Sequence, residues 1–303
     1  MAVDKPTMST SDAASLVAAE YGFGAPGACR LMQAYGNDTY AVEITGQRFA
    51  LRIYEELRDK WWIAGESDLR FELDLLNHLH GENVPVSFPL PRRNGDVLGR
   101  FGTSGQVRYF SLFSWAPGDP GSKTQAKARL LGRTLAMIHL AADRYQTTHR
   151  RYALDERTLL DRFVGEMEPS LRDDEPADVQ FIREQIATIR RRMRAFDPGP
   201  GGWGIIHGDV QELNFHFTSD EHITVFDFDL CGYGWRAYDI SYYYTRIRKH
   251  LRMPFLDGYE SVRPLNDAEH VILPTLGRLA WIREGVRSKG LVKRLNDPYM
   301  SFQ

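Results

Sequence analysis

Apolar and polar residues follow two different periods along this chain, and the changes between them mark its elements. Ser11 to Tyr21 carries apolar positions at helical spacing, with Ser11 or Asp12 available as the cap. The period then drops to two. "CRLMQAY", "TYAVEI" and "RFALRIY" alternate, separated by turns at Gly36-Asn37-Asp38 and Thr45-Gly46-Gln47, which predicts a strand meander. From Ser67 to His80, Leu69, Leu73, Leu76 and Leu79 restore helical spacing. Val84 to Gly118 reads as strands again, with hairpin turns at Asn94-Gly95 and Ser104-Gly105.

At Ala116–Gly121 the composition shifts, so the chain is divided into residues 1–115 and 116–303. Beyond the boundary, helices are predicted for Thr124–Arg144, Glu156–Met167 and Ala177–Phe196. The block "DPGPGG" ends that run, a β-rich segment covers Ile205–Asp239, and Ile240–Lys293 is again mostly helical. A small antiparallel β-lobe with one main helix, followed by a larger mainly helical lobe, is an α+β plan.

Composition removes several classes. The 303 residues suffice for two lobes, and a net charge of −2 offers no basic field for nucleic acid. Cys29 and Cys231 lie far apart without metal-ligand spacing, which suits a reducing compartment. The N-terminus lacks the pattern of a secretory leader, and no window approaches the about 18 apolar residues of a membrane span. A cytoplasmic protein with no membrane partner is expected.

The chemistry concentrates in "IIHGDVQELNFHFTSDEHITVFDFDLCGYGWRAYD". His207-Gly208-Asp209 ends an apolar approach, Asn214 follows, and a β-rich run delivers Asp227-Phe228-Asp229. Phosphoryl transfer needs such a set: a carboxylate to align the attacking hydroxyl, and oxygen ligands for the Mg²⁺ that accompanies ATP. Asp209 is the candidate base, Asn214 and Asp227 the candidate metal ligands, and Asp229 a further ligand for metal or substrate. His207 is expected to brace the loop as a charged or donating imidazole. Asp239 is expected to anchor a helix, and Tyr242, Tyr243 and Tyr244 to fill a core. Arg190–Arg194 reads as a solvated helix face whose charges suit the helix end.

"HGDVQELN" followed by "DFD" resembles the catalytic signature of the superfamily of aminoglycoside phosphotransferases, choline kinases and type II homoserine kinases. The stress-response kinase of enteric bacteria is a similar relative. "RFALRIY" looks like the third strand of that superfamily, "FELDLLNHL" like its following helix, "FSWAPGDP" like its interlobe linker, and "FLDGYESVRPLNDAE" like a C-terminal segment of the homoserine-kinase-like branch. The resemblance implies a bilobal protein-kinase-like fold, ATP and Mg²⁺ as cofactors, Asp209 as base, and Asn214 and Asp227 on magnesium.

Two positions depart from the family pattern. Arg52 stands where a phosphate-binding lysine is usual, with Glu72 as its expected helix partner; some members of the homoserine-kinase-like branch also carry Leu-Arg here. The phosphate loop "AYGNDTY" holds a single glycine, so only backbone amides around Gly36, Asn37 and Asp38 could approach phosphate. Backbone groups of Phe113, Ser114 and Trp115 are expected to meet the adenine edge, between apolar walls from Leu51 and Leu112.

From Leu230 to Gln303 there are 12 Lys plus Arg against 7 Asp plus Glu. That balance suits a neutral, zwitterionic or anionic acceptor better than a polycation. The expected activity is direct transfer to the hydroxyl of a small molecule: an amino alcohol, hydroxy amino acid, sugar or antibiotic. A Ser/Thr protein kinase and a catalytically silent nucleotide-binding protein are the alternatives. The oligomeric state is not legible.

Overall fold

The structure is a computed structural model that describes residues 8–24, 27–55, 63, 65–103, 106–121, 123–173, 175–284 and 288–296. The chain divides into two compact units.

The first unit runs to Gly118 and also takes in residues 145–150 and 224–229. Its first helix, α1 (Thr10–Tyr21), is capped by Ser9, whose hydroxyl accepts the Asp12 N–H at 3.1 Å. Ser9 rather than Ser11 or Asp12 is therefore the cap, because its extended backbone leaves its oxygen facing the first turn. Ala13, Val17 and Tyr21 form the buried face. Strands β1 (Ala28–Tyr35), β2 (Asn37–Ile44) and β3 (Gln47–Ile53) form the meander, α2 spans Glu66–Gly81, and β4 (Gly99–Thr103) and β5 (Gln106–Ser114) complete an antiparallel sheet. Its order is β1-β2-β3-β5-β4. Tyr40, Val42, Ile44, Leu51, Ile53, Phe110 and Leu112 bury one face against α1.

Between α2 and β4 the structure departs from the expected strands. Val86 and Pro89 make only isolated bridges, and Asn94-Gly95 forms a turn closed by the Arg92 N–H on the Asp96 carbonyl. Pro85, Pro89 and Pro91 explain this, since each removes a donor that a ladder requires. The Ser104-Gly105 turn lies outside the described residues. One cut at 115/116 also misses the return of residues 224–229, where Val225 donates to the Pro85 carbonyl and accepts from Ser87 N–H, both at 2.9 Å.

The second unit begins with β6 (Asp119–Pro120) and α3 (Gln125–Ala142), followed by β7 (Ala153–Leu154). The expected helix at Glu156–Met167 opens as a π-wound turn over Arg157–Asp161 before α4 (Arg162–Met167). Then come α5 (Pro176–Ala195), β8 (Trp203–Ile206), β9 (Phe215–Phe217), β10 (Ile223–Val225, whose last two residues belong to the first unit), β11 (Gly232–Trp235), α6 (Arg236–Tyr244), α7 (Lys249–Glu260), α8 (Asp267–Arg283) and α9 (Ser288–Leu295). Strands β7, β11 and β8 form one small sheet, and β9 pairs antiparallel with β6. Helices α3 and α7 meet backbone to backbone: a Cβ on Gly132 would lie 1.9 Å from the Phe255 carbonyl, and one on Gly258 2.0 Å from that of Arg129.

Candidate active site

In the second unit, β8 delivers the chain into His207-Gly208-Asp209. Gly208 has φ +79°, and a Cβ there would fall 2.4 Å from the Leu230 carbonyl, so this turn requires glycine. The turn is held from α6. Asp239, fully buried, accepts the His207 N–H at 2.7 Å and the Gly208 N–H at 2.8 Å. His139 of α3 lies 3.1 Å from the same carboxylate through Nε2, and Tyr259 lies 2.7 Å from its Nδ1. A carboxylate only accepts, so Nε2 carries the proton and Nδ1 accepts the Tyr259 hydroxyl. Burial pushes the His139 pKa down to about 4 against the pull of Asp239, so the ring is neutral.

The His207 imidazole accepts, through Nδ1, the Asp209 N–H at 3.3 Å. In this bond the imidazole is the acceptor, because the amide it meets can only donate.

Three side chains fix the Asp209 carboxylate. Oδ2 accepts from Gln211 Nε2 at 2.6 Å and Asn214 Nδ2 at 3.0 Å, and Oδ1 accepts from the Tyr242 hydroxyl at 2.6 Å. The Asn214 amide nitrogen also donates to the Asp209 carbonyl at 2.9 Å, which turns its Oδ1 away as the acceptor end. The Tyr242 ring lies beneath Arg246 at 3.5 Å and is also approached by Arg283 at 5.1 Å. Burial, then the charge of Asp209, raises the Tyr242 pKa well above the ordinary phenol, so its hydroxyl remains a donor. Arg283 also donates to the Gly208 carbonyl at 2.5 Å. Tyr242 is therefore more than core packing; it bonds the carboxylate that the sequence singles out.

In the first unit, Arg52 of β3 donates to Glu72 of α2 at 3.1 Å and to Asp227 at 2.9 Å. Burial opposes its charge, but Asp227 and then Glu72 outweigh that and hold its pKa above the ordinary value; Asp229 adds to the effect. Asp227 sits in the left-handed region at φ +64°, uncommon for a residue with a side chain. Its side chain stays 36% exposed, so the carboxylate can meet a ligand besides Arg52.

The remaining candidates are placed as follows. Gly36, at φ +73°, turns β1 into β2, and Asn37 uses its Oδ1 to accept the Glu55 N–H at 3.2 Å. Ser114 donates its N–H to the Phe88 carbonyl at 2.9 Å, and its carbonyl accepts the Ser87 hydroxyl at 2.6 Å. The Ser114 amide is thus committed within the protein, and the Phe113 ring lies 5.2 Å from the Arg52 guanidinium. Trp115 follows the last residue of β5.

Sequence reasoning did not single out Gln211, His139, Arg246 or Arg283, nor the pairing of Arg52 with Asp227. Tyr242 had a usable signal: it stands three positions after Asp239, on the same helical face as the loop's anchor. Among the described residues no group of three or more His, Cys, Asp or Glu forms a ready-made metal site, and no helix is long and apolar enough to cross a membrane.

Residues 29–267 match the phosphotransferase enzyme family. An uncharacterised protein of Synechocystis sp. is 32% identical over 275 residues, covering 88% of this chain and 74% of its own. The homoserine kinase of Rhizobium johnstonii is 32% identical over 263 residues, covering 82% and 75%. Among solved structures, a microcompartment-associated aminopropanol kinase matches with a TM-score of 0.76 at 22% identity, covering 94% of each chain. Amicoumacin kinase in complex with AMP-PNP and Ca²⁺ matches with a TM-score of 0.78 at 19% identity, covering 97% of this chain and 93% of its own. The α+β, protein-kinase-like fold that the sequence implied is therefore the fold of this chain, which belongs to the phosphotransferase enzyme family.

Proposed function

We propose that this chain is an ATP- and Mg²⁺-dependent kinase that passes the γ-phosphoryl group directly to a hydroxyl of a small molecule. The observation that carries the reading is the Asp209 carboxylate, held on a glycine-dependent turn and oriented by Asn214, Gln211 and Tyr242. Such a fixed carboxylate suits a base that accepts the acceptor's proton as the new O–P bond forms and ADP departs. Arg52 is assigned to the nucleotide phosphates, its charge already balanced by Glu72.

Asp227 and Asp229, both of the first unit, are assigned to magnesium. The donor set is all oxygen, which suits a hard cation, and few protein ligands are needed where phosphates and waters complete the shell. Bound there, Mg²⁺ would neutralise charge on the phosphate oxygens.

The relatedness to homoserine kinases and the cationic balance of residues 230–303 favour an amino alcohol or hydroxy amino acid as acceptor. The test is Mg²⁺-ATP turnover with L-homoserine, 1-amino-2-propanol and an aminoglycoside, with Asp209→Asn as control. Phosphorylation of one of the first two, lowered roughly 10²–10⁴-fold in the variant with nucleotide affinity unchanged, is expected. Undiminished turnover by Asp209→Asn would refute the base assignment, and transfer only to protein would refute the small-molecule acceptor.

A further inference from the structure

The hydrogen bonds on Asp209 locate where the acceptor hydroxyl must arrive. An ionised carboxylate offers about four lone-pair directions. Gln211 and Asn214 occupy both on Oδ2, and Tyr242 occupies one on Oδ1. The open direction is the second one on Oδ1, beside the Tyr242 hydroxyl.

We propose that Tyr242 is a positioning residue of phosphoryl transfer, whose hydroxyl holds Asp209 Oδ1 in place for the acceptor hydroxyl that docks next to it. The inference rests on Asp209 being the base. In the step it serves, the acceptor O–H proton passes to Oδ1, the acceptor oxygen bonds the γ-phosphorus, and the bond to the ADP oxygen breaks. Tyr242 exchanges no proton and its bond to Oδ1 persists throughout.

The surroundings suit a fixed element better than loose core filling. The ring is 6% exposed and packed beneath Arg246, which also donates to the Tyr242 carbonyl at 2.7 Å. Arg283 ties the same ring to the loop, since its guanidinium also bonds the Gly208 carbonyl. Rotating the ring to release Oδ1 would forfeit both cation contacts. Asp239, three positions earlier on α6, anchors the two amides preceding Asp209, so one helix sets both the backbone of the turn and the orientation of its carboxylate.

The test is Tyr242→Phe, which keeps the ring and its cations and removes only the hydroxyl, measured in both the wild-type and Asp209→Asn backgrounds. The acceptor is L-homoserine or 1-amino-2-propanol, whichever turns over, and water, read as ATP hydrolysis, where neither does. In the wild-type background kcat should fall about 10- to 100-fold, the scale of a hydrogen bond to a charged group, with the KM for ATP within twofold and melting unchanged. In the Asp209→Asn background the same change should add less than twofold, because the partner through which it acts is already disabled.

Undiminished kcat in Tyr242→Phe while Asp209→Asn is impaired would overturn the role of Tyr242 and leave that of Asp209 standing. An equal fold-loss in both backgrounds would also overturn it, as would a loss matched by weakened ATP binding and lowered melting. Full activity of Asp209→Asn would remove the base itself.

Discussion

Arg52 and Asp227 are joined by a 2.9 Å ion pair although 175 positions separate them in the chain. The same guanidinium reaches Glu72 at 3.1 Å, so one planar fork serves two carboxylates at once. Glu72 is fully buried, and removing one partner of a buried ion pair costs about 3–5 kcal/mol. Arg52→Met should therefore lower stability by about that amount in urea unfolding. Arg52→Lys supplies a single point charge, which keeps Glu72 paired and releases Asp227. Its loss should be less than half that of Arg52→Met; equal losses would show that the fork geometry is what matters to Glu72.

Asp239 receives three donors: the N–H groups of His207 and Gly208 and the Nε2–H of His139. Each buried donor left without an acceptor costs about 1–3 kcal/mol, so Asp239→Ala should cost several kcal/mol and abolish turnover. Asparagine has one accepting oxygen for three donors and should fall between the two. Parallel measurement of unfolding and turnover checks this. A stable, active Asp239→Ala would mean that the turn holds itself.

Glycine within a helix normally invites replacement, since alanine gains about 0.5–1 kcal/mol there. Gly132 and Gly258 should behave oppositely, because an added Cβ would strike a backbone carbonyl of the facing helix at about 2 Å. Overpacking of this kind costs typically ~1–3 kcal/mol, and backbone cannot step aside as a side chain can. Gly165 of α4 has nothing within 4 Å of such a Cβ and provides the control. Gly165→Ala should raise the urea midpoint while Gly132→Ala lowers it. A raised midpoint at both positions would refute the close approach of α3 and α7.

Much of this was legible in the sequence where the signal is local. The helical spacing of Leu69 to Leu79 gave α2 within a residue or two at each end, and the alternation from Cys29 to Tyr54 gave three strands. Asp209, Asn214 and Asp227 stood out because they share one segment. What escaped depends on contacts between distant parts of the chain. Tyr242 meets Asp209 from 33 positions away, and His139 meets Asp239 across 100. Pro85, Pro89 and Pro91 are a local signal too, since each removes a ladder donor, but the apolar residues between them carry the pattern of a strand. Arg190, Arg192 and Arg194 are not simply solvated either: they bond Glu156, Asp161 and Thr275, partners that helical position alone does not reveal.

His139 sets a pH limit on the anchor of the His207–Asp209 turn. Free histidine titrates near 6.5, whereas burial holds His139 near 4, with Arg236 and Arg263 opposing protonation and Asp239 favouring it. A pKa depressed on folding means that the unfolded chain binds the proton more readily. The stabilisation is therefore complete above about pH 6.5 and is lost as pH falls toward 4. Between pH 7 and pH 4.5 this one group should remove roughly 2–3 kcal/mol of stability, at about 1.4 kcal/mol for each pH unit. Carboxylates titrate in the same range, so the informative quantity is the difference from His139→Asn, which has no proton to gain. That variant should start lower at pH 7 and lose less on acidification. Parallel urea midpoints for the two proteins across pH 4.5–7 would show that His139 is not the neutral acceptor of the Tyr259 hydroxyl.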